Sequence, residues 1–566
     1  MKFFVSSIKI ILYTIIFLGI FNLSYGRTTQ FNQNAKSISN YFSGLISFDN
    51  FNYTSSKGFF KKLDESQVNN KKYSSRFIQS LINLGKHQEA YRYSKKLEDK
   101  KQSNFESNIF LGLYEFKRQN YKKSEIYFKK LKSHLINDPV SNMLLVSLDA
   151  WTQISQVKNK DSLNLLNYSN NAYANLQILQ KAFGKCYISS NTMEEDFKSI
   201  IENEEYNFSR YNFFISNYYF NKNQKVKALN LINSASSKYP GNLLINQYKK
   251  ALQNGEKNKN VFNCQNSSDI LAETLYILAN ILSSQENYQL SNFYINLSKF
   301  LNSNFISYDS LLAENFFVLE RYNDAKIIYK KLFKGGSVYK WYAGKKIAQM
   351  MDKQKKTGSI NFLRKIYNDI QPGIYEKFDF ANFLRNKEKY DESIKLYSEI
   401  LLKIKLNHEL YPSVLERRGM AYERNDQWKL GEKDLLDSLK IKPNEPYVMN
   451  YLAYSWVEKN KNIEEALEML RDANDLKKNN GYITDSLGWA LFKSKYFLES
   501  KKYLEKAIIL MPRDPVINDH YADCLWMNNY KIQARYYWNN VLLFESAEKD
   551  LKEKVKQKII FGLSNT

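Results

Sequence analysis

Residues able to carry chemistry are sparse in this chain. Its 566 residues include four His and three Cys. His134, His408 and His520 stand far apart, and no two His share the four-residue spacing that would set them on one helix face. The sequence contains no His-Glu-x-x-His, no Cys-x-x-Cys, no Gly-rich phosphate loop and no Gly-x-Ser-x-Gly elbow. The acidic pairs Glu194-Glu195 and Glu464-Glu465 are adjacent, so they point to different helix faces and cannot work together as acid and base. These residues call for no enzyme, metal or cofactor. Cys186 and Cys264 are distant from each other along the chain. A bridge between them requires the middle of the chain to fold back until their Cα atoms are within about 7 Å. Cys524 reads as a small buried apolar residue.

The residues that must position any site follow a ruler. Gly is 19 and Pro only 8, with 43% hydrophobic and 15% aromatic residues. That composition suits helices joined by short turns and excludes collagen, Pro/Gly linkers and a disordered chain. Small residues in a Leu-Gly/Ala-x-x-Tyr phrase recur at Gly44, Gly112, Ala279, Ala313, Ala348 and Ala381, with Ile78 and Val146 filling the front of the register. Gly419, Ala453, Gly488 and Ala522 continue it at the same regular step. An aromatic or His stands nine residues after an anchor at Tyr53, His87, Tyr121, Tyr288, Tyr322, Tyr390, Trp428 and Phe497. A second small residue follows twelve after the anchor, as at Ser124, Ala325, Gly431 and Ser500. His87 occupies an aromatic slot and reads as packing.

The step and the residue classes resemble the tetratricopeptide repeat (TPR), a helix-turn-helix unit of about 34 residues. The resemblance implies an all-α TPR α-solenoid of about twelve repeats. Small residues let paired helices approach to about 8–10 Å, and because one pair cannot bury its apolar face alone, neighbours must stack. Residues 27–155 form an amino-terminal array, 156–268 an irregular helical middle with one TPR-like unit, 269–545 a carboxy-terminal array and 546–566 a basic amphipathic cap. The step from Ser216 to Ala279 is nearly twice the usual one, and Asn254-Gly255-Glu256-Lys257-Asn258-Lys259-Asn260 within it reads as a flexible loop.

The phrases Asn450-Tyr451-Leu452-Ala453-Tyr454-Ser455-Trp456, Gly481-Tyr482-Ile483-Thr484-Asp485-Ser486-Leu487-Gly488-Trp489 and Asp514-Pro515-Val516-Ile517-Asn518-Asp519-His520 resemble the end of a proteobacterial family of exported TPR proteins. Some of its members are lipoproteins, one type being an adaptor of a carboxy-terminal processing protease. This chain lacks the lipobox Cys of those members. In TPR proteins the first helix of each repeat lines a concave groove, with contacts from repeat positions 2, 5, 9 and 12. Carried onto this chain, the groove stripe is Tyr447, Asn450 and Tyr454, then Tyr482, Asp485, Trp489 and Phe492, then Asp519, Asp523 and Trp526. Aromatics interleaved with Asn and Asp suit an extended peptide. Alternatives are periplasmic glycan or peptidoglycan stacked on the same rings, or a role as accessory subunit of an envelope enzyme.

The first 26 residues read as an export address: Lys2 and Lys9, an apolar run from Ile10 to Phe21, and small residues before a cut after Gly26. The expected place is the periplasm, with another envelope protein as partner. The formal charge of +25 allows peripheral contact with an acidic membrane surface, and export argues against nucleic acid.

Overall fold

The computed structural model describes residues 35–63, 71–133, 139–167, 174–190, 192–202 and 209–563. The export address lies outside these residues. Among the described residues, antiparallel helical hairpins follow one another, as in Phe105–Lys117 with Tyr121–Lys129 and Gly481–Lys493 with Phe497–Leu510. The β structure described is one isolated bridge, Asn260 with Phe305.

Two local devices make each hairpin. The first is close approach at the small residues. A Cβ added to Gly112 would lie 2.3 Å from the Phe128 ring, and one added to Gly488 would lie 2.6 Å from Leu504. Serine at these positions also bonds across the pair. Ser124 donates to Gly112 O (2.9 Å), Ser291 to Ala279 O (2.8 Å) and Ser500 to Gly488 O (2.7 Å), while Ser216 donates to Ala228 O (2.7 Å). Buried hydroxyls are thereby satisfied without widening the interface. The second device is the turn. Seven residues after its anchor the chain passes through positive φ, at Gln119, Glu286, Glu320, Glu388, Asp426, Asn460, Lys495 and Asn529 among others. This left-handed step ends the first helix and reverses the chain.

The chain forms two compact units, Met1–Phe362 and Leu363–Thr566. Their boundary lies within helix Ser359–Asp369 rather than near residue 268, where the sequence ends the irregular middle. The reason is that the hairpin Ser267–Ser284 with Tyr288–Leu301 folds back onto the amino-terminal array. Helix Tyr288–Leu301 packs on Lys71–Asn83 and Phe105–Lys117, and Ser267–Ser284 packs on Pro139–Val157. Lys117 donates to the Phe300 carbonyl, and Asn296 donates to Asn83 at 2.9 Å. His87 lies 4.7 Å from the Phe300 ring. Burial first, then Lys117 and Lys299, lowers its pKa to about 4, so it is a neutral packing residue. One continuous apolar core runs from Phe48 to Met350.

The segment expected to be a flexible loop, residues 254–260, is mostly exposed and is pinned at its end. Asn260 is 1% exposed. Its Oδ1 accepts from Ser307 N at 2.8 Å, and Val261 N donates to Asn304 O at 3.1 Å. Phe262 O accepts from Asn217 at 2.8 Å. The long step from Ser216 to Ala279 therefore holds a lone helix, Leu243–Asn254, followed by a connector that buries Asn260, Phe262 and Cys264. That connector carries Cys264 to Cys186, where a disulfide closes with Cα atoms 5.8 Å apart.

The second unit has separate small cores along its length, as expected when each hairpin leans only on its neighbours. Helix Lys549–Phe561 packs on the last hairpin helix, Lys531–Leu543.

Candidate binding groove

The ten stripe residues of the second unit fall into three environments. Tyr447 and Tyr482, at repeat position 2, are 54% and 56% exposed. Asn480 donates to the Tyr447 hydroxyl at 3.4 Å and caps the helix that carries Tyr482. Val516 holds the same position in the next repeat at 44% exposure, and Tyr375 holds it at 47% in hairpin Ile374–Asn386 with Tyr390–Leu401. Tyr375 was not among the residues picked from the sequence, although it stands six residues before Ala381 just as Tyr447 stands six before Ala453. Beside Tyr482 and Val516 opens a cavity of about 620 Å³, with Met511, Arg513, Asp514 and Ser546 on its walls.

The second group is half-sheltered. Asn450 Oδ1 is buried and accepts no hydrogen bond within the described residues. Burial, then Glu458 and Asp485, pushes the Tyr454 hydroxyl pKa up and keeps it neutral. Trp489 donates to Glu458 at 2.7 Å. Its ring lies between Phe492, at 5.0 Å, and His520, at 3.9 Å, with 10° between planes in both pairs.

The third group corrects the sequence expectation. Asp485, Asp519 and Asp523 do not stand open to a partner. They are 6%, 7% and 4% exposed. Asp485 holds His520 Nδ1 at 3.0 Å. Asp519 and Asp523 both hold Lys558 Nζ, at 2.8 and 2.7 Å, and Asp523 also accepts from Trp538 at 2.9 Å. Trp526 packs against Trp538 at 5.5 Å, with the Arg535 guanidinium 4.8 Å from its ring. A buried carboxylate needs a cation or donors, and the cap helix supplies one. Glu458 and Lys558 escape the sequence reading, which takes His520 only as one of the scattered His and as part of the last phrase. The one available signal was a lysine in the last turn of an amphipathic cap.

These charges set a pH dependence. Burial opposes the charge on His520, but Asp485 outweighs it, helped by Asp519 and Asp523, and the His520 pKa is raised. Its stabilising contribution is complete below the unfolded value and fades as pH rises through the folded one. Burial and then Asp519 raise the Asp523 pKa to about 6, with Lys558 opposing. Its penalty is present above that pH and is relieved as pH falls toward 4. Both groups therefore favour mild acid. Hydrogen exchange at 515–561, corrected for intrinsic rate, should show greater protection at pH 5.5 than at pH 8, and His520→Gln should flatten part of that slope. Equal protection at both values would count against this reading of the cluster.

Among the described residues, no helix is long and apolar enough to cross a membrane, and no group of His, Cys, Asp and Glu is arranged to hold a metal ion. No family model matches the chain. A TPR repeat-containing protein of Pseudomonas aeruginosa is 26% identical over 122 residues, which is 22% of this chain and 20% of that protein. The match thus spans about a fifth of the relative. Among solved structures, a thermophilic TPR protein of Thermus thermophilus aligns at 14% identity and TM-score 0.29, covering 33% of this chain and 98% of that one. The APC/C hetero-tetramer Cut9–Hcn1 aligns at 13% identity and TM-score 0.34, covering 92% and 89%. By its own hairpins, close glycine contacts and turns at a fixed register, the chain has the all-α solenoid fold of tetratricopeptide-repeat proteins.

Proposed function

We propose that this protein is a non-catalytic scaffold of the bacterial cell envelope that binds a segment of another protein along the first-helix face of its second unit. The observation that carries this reading is the row of half-exposed side chains at one repeat position, Tyr375, Tyr447, Tyr482 and Val516. In the first unit, helix Tyr288–Leu301 packs on first helices Lys71–Asn83 and Phe105–Lys117. Exposed tyrosines give a rigid ring and a hydroxyl at low entropic cost, which is how aromatic anchors dominate binding surfaces. A repeat spacing of about 10 Å matches an extended chain touching down every third residue. The envelope assignment rests on the export address and on the phrases shared with exported TPR proteins. A protease-adaptor role fits this reading, as does assembly of envelope machinery.

Crosslinking in intact cells, followed by identification of the captured species, tests it. One polypeptide should dominate, and Tyr447→Ala with Tyr482→Ala should weaken its recovery by about thirtyfold, the loss expected for one strong aromatic anchor of about 2 kcal/mol. Enrichment of cell-wall glycan in place of a polypeptide would transfer the row to sugar stacking. Undiminished recovery by a double variant with unchanged circular dichroism would move the partner to another surface.

A further inference from the structure

The basic surplus is not spread along the chain. Residues 1–362 hold 49 Lys and Arg against 27 Asp and Glu, a net +22, while 363–566 hold 34 against 31, a net +3. Much of the excess sits on the second helices of the first three hairpins. Segments 53–63, 87–101 and 121–132 carry 13 basic residues against four acidic ones. Two rows keep the repeat spacing: Lys61, Lys95 and Lys129, and Lys62, Lys96 and Lys130, each one full repeat from the next. They cluster at the carboxy-terminal ends of helices Tyr53–Phe60, His87–Asp99 and Tyr121–Lys129.

The rows reach solvent. The Lys129, Lys61, Lys130 and Lys95 side chains are 64%, 55%, 42% and 38% exposed. Glu89, Glu98 and Glu125 lie among them and steady several: Lys61 to Glu89 at 2.9 Å, Lys95 to Glu98 at 2.5 Å, Lys130 to Glu98 at 3.1 Å and Lys129 to Glu125 at 2.6 Å. Four carboxylates, Asp99 included, cannot neutralise six ammonium groups, and Lys100, Lys101, Lys122, Lys123 and Lys132 add to the field, while Lys57 shares Glu89 at 2.8 Å. Helix-end placement accounts for some lysines through the backbone dipole. It does not account for the excess of 13 over four.

We propose that this outer face docks on an anionic phospholipid bilayer. Of its 13 basic residues 12 are Lys and one, Arg92, is Arg. Arginine's bidentate fork serves specific recognition of phosphates and bases, whereas lysine is a point charge suited to a diffuse field of headgroups. Ile126, 56% exposed between Lys122-Lys123 and Lys129-Lys130, places an aliphatic side chain where the interfacial region of a bilayer accepts one. The surface lies on second helices of the first unit, whereas the row proposed for protein binding lies on first helices of the second.

The test is co-sedimentation of the full chain with vesicles of phosphatidylcholine alone or with about 30% phosphatidylglycerol. Binding should require the anionic lipid and disappear between about 0.05 and 0.5 M NaCl, as the Debye length shortens several-fold. Lys62→Gln, Lys96→Gln and Lys130→Gln together should weaken binding at least about fivefold, since a single lysine near such a surface contributes about that much. The matched set Lys501→Gln, Lys502→Gln and Lys506→Gln in the second unit should leave binding unchanged. Equal binding to neutral vesicles, or a triple variant that binds like the parent, overturns the proposal. So does tighter binding to duplex DNA or heparin at equal charge concentration, which would assign the face to a soluble polyanion. If the triple variant loses its helical signal, the lipid and salt dependence of the unaltered chain decides.

Discussion

Glu273→Ala should destabilise the first unit by about 3–5 kcal/mol, the cost of leaving one member of a buried ion pair alone. Arg210 donates to Glu273 through Nη2 at 3.0 Å and through Nε, and the Glu273 side chain is 0% exposed. The guanidinium is also enclosed by rings: Tyr276 at 4.3 Å, Phe305 at 5.0 Å and Phe214 at 5.6 Å from its carbon. Arg210 comes from helix Ser209–Asn221, Glu273 from Ser267–Ser284, and Phe305 from the connector that bridges to Asn260. Losing the carboxylate strands a cation where the folded-back hairpin, helix Ser209–Asn221 and the loop carrying Phe305 converge. Chemical denaturation followed by tryptophan and tyrosine fluorescence should show an early transition for residues 1–362 with the second unit unmoved. Glu273→Gln keeps the acceptor but not the charge and should fall between parent and alanine variant. A loss under about 1 kcal/mol for Glu273→Ala would mean that water reaches the pair.

The hairpin array was legible because its signal is periodic, and every repeat restates it. The left-handed turn residue shares that register, yet composition hid it. Seven residues after the anchor stand Gln119, Glu286, Glu388 and Lys495, with positive φ, and Gly85 is the rare position where the residue type announces the conformation. The fold-back of Tyr288–Leu301 was illegible for another reason. Asn83 with Asn296, and Lys117 with Phe300, are 213 and 183 residues apart, and nothing periodic couples them. Cys186 and Cys264 stated the condition for such a return without saying that it is met. In the candidate groove, repeat position places Tyr447 and Tyr482 on first helices at one exposed position. It could not separate Tyr482, open to solvent, from Asp485 three residues on, because their difference is made by His520 from the next repeat.

Lys558→Met should release the cap helix at a cost of about 3–5 kcal/mol to the last repeats. Lys558 Nζ lies within 2.7–2.9 Å of all four oxygens of Asp519 and Asp523. Those side chains are 9% and 5% exposed, and Lys558 itself is 19% exposed. Burial disfavours the ammonium, but Asp523 and Asp519 outweigh it and hold its pKa above the ordinary lysine value. Without that cation two carboxylates repel each other in a dry site, and one must take up a proton or the helix must leave. Asp523, already at about 6 with Lys558 present, rises further once its cation is gone. Protonation then removes the repulsion, so the variant's deficit should shrink as pH falls from 8 toward 5. Hydrogen exchange over 515–561 measures this directly, and amides of the helices in the first unit serve as an internal reference. Asp519→Asn added to Lys558→Met should recover part of the loss at pH 8, because a single buried carboxylate remains and Trp538 still donates to it. A deficit independent of pH, or no recovery in the double variant, would show that the cap is held by its apolar contacts at Val555 and Ile559 rather than by the charge it inserts.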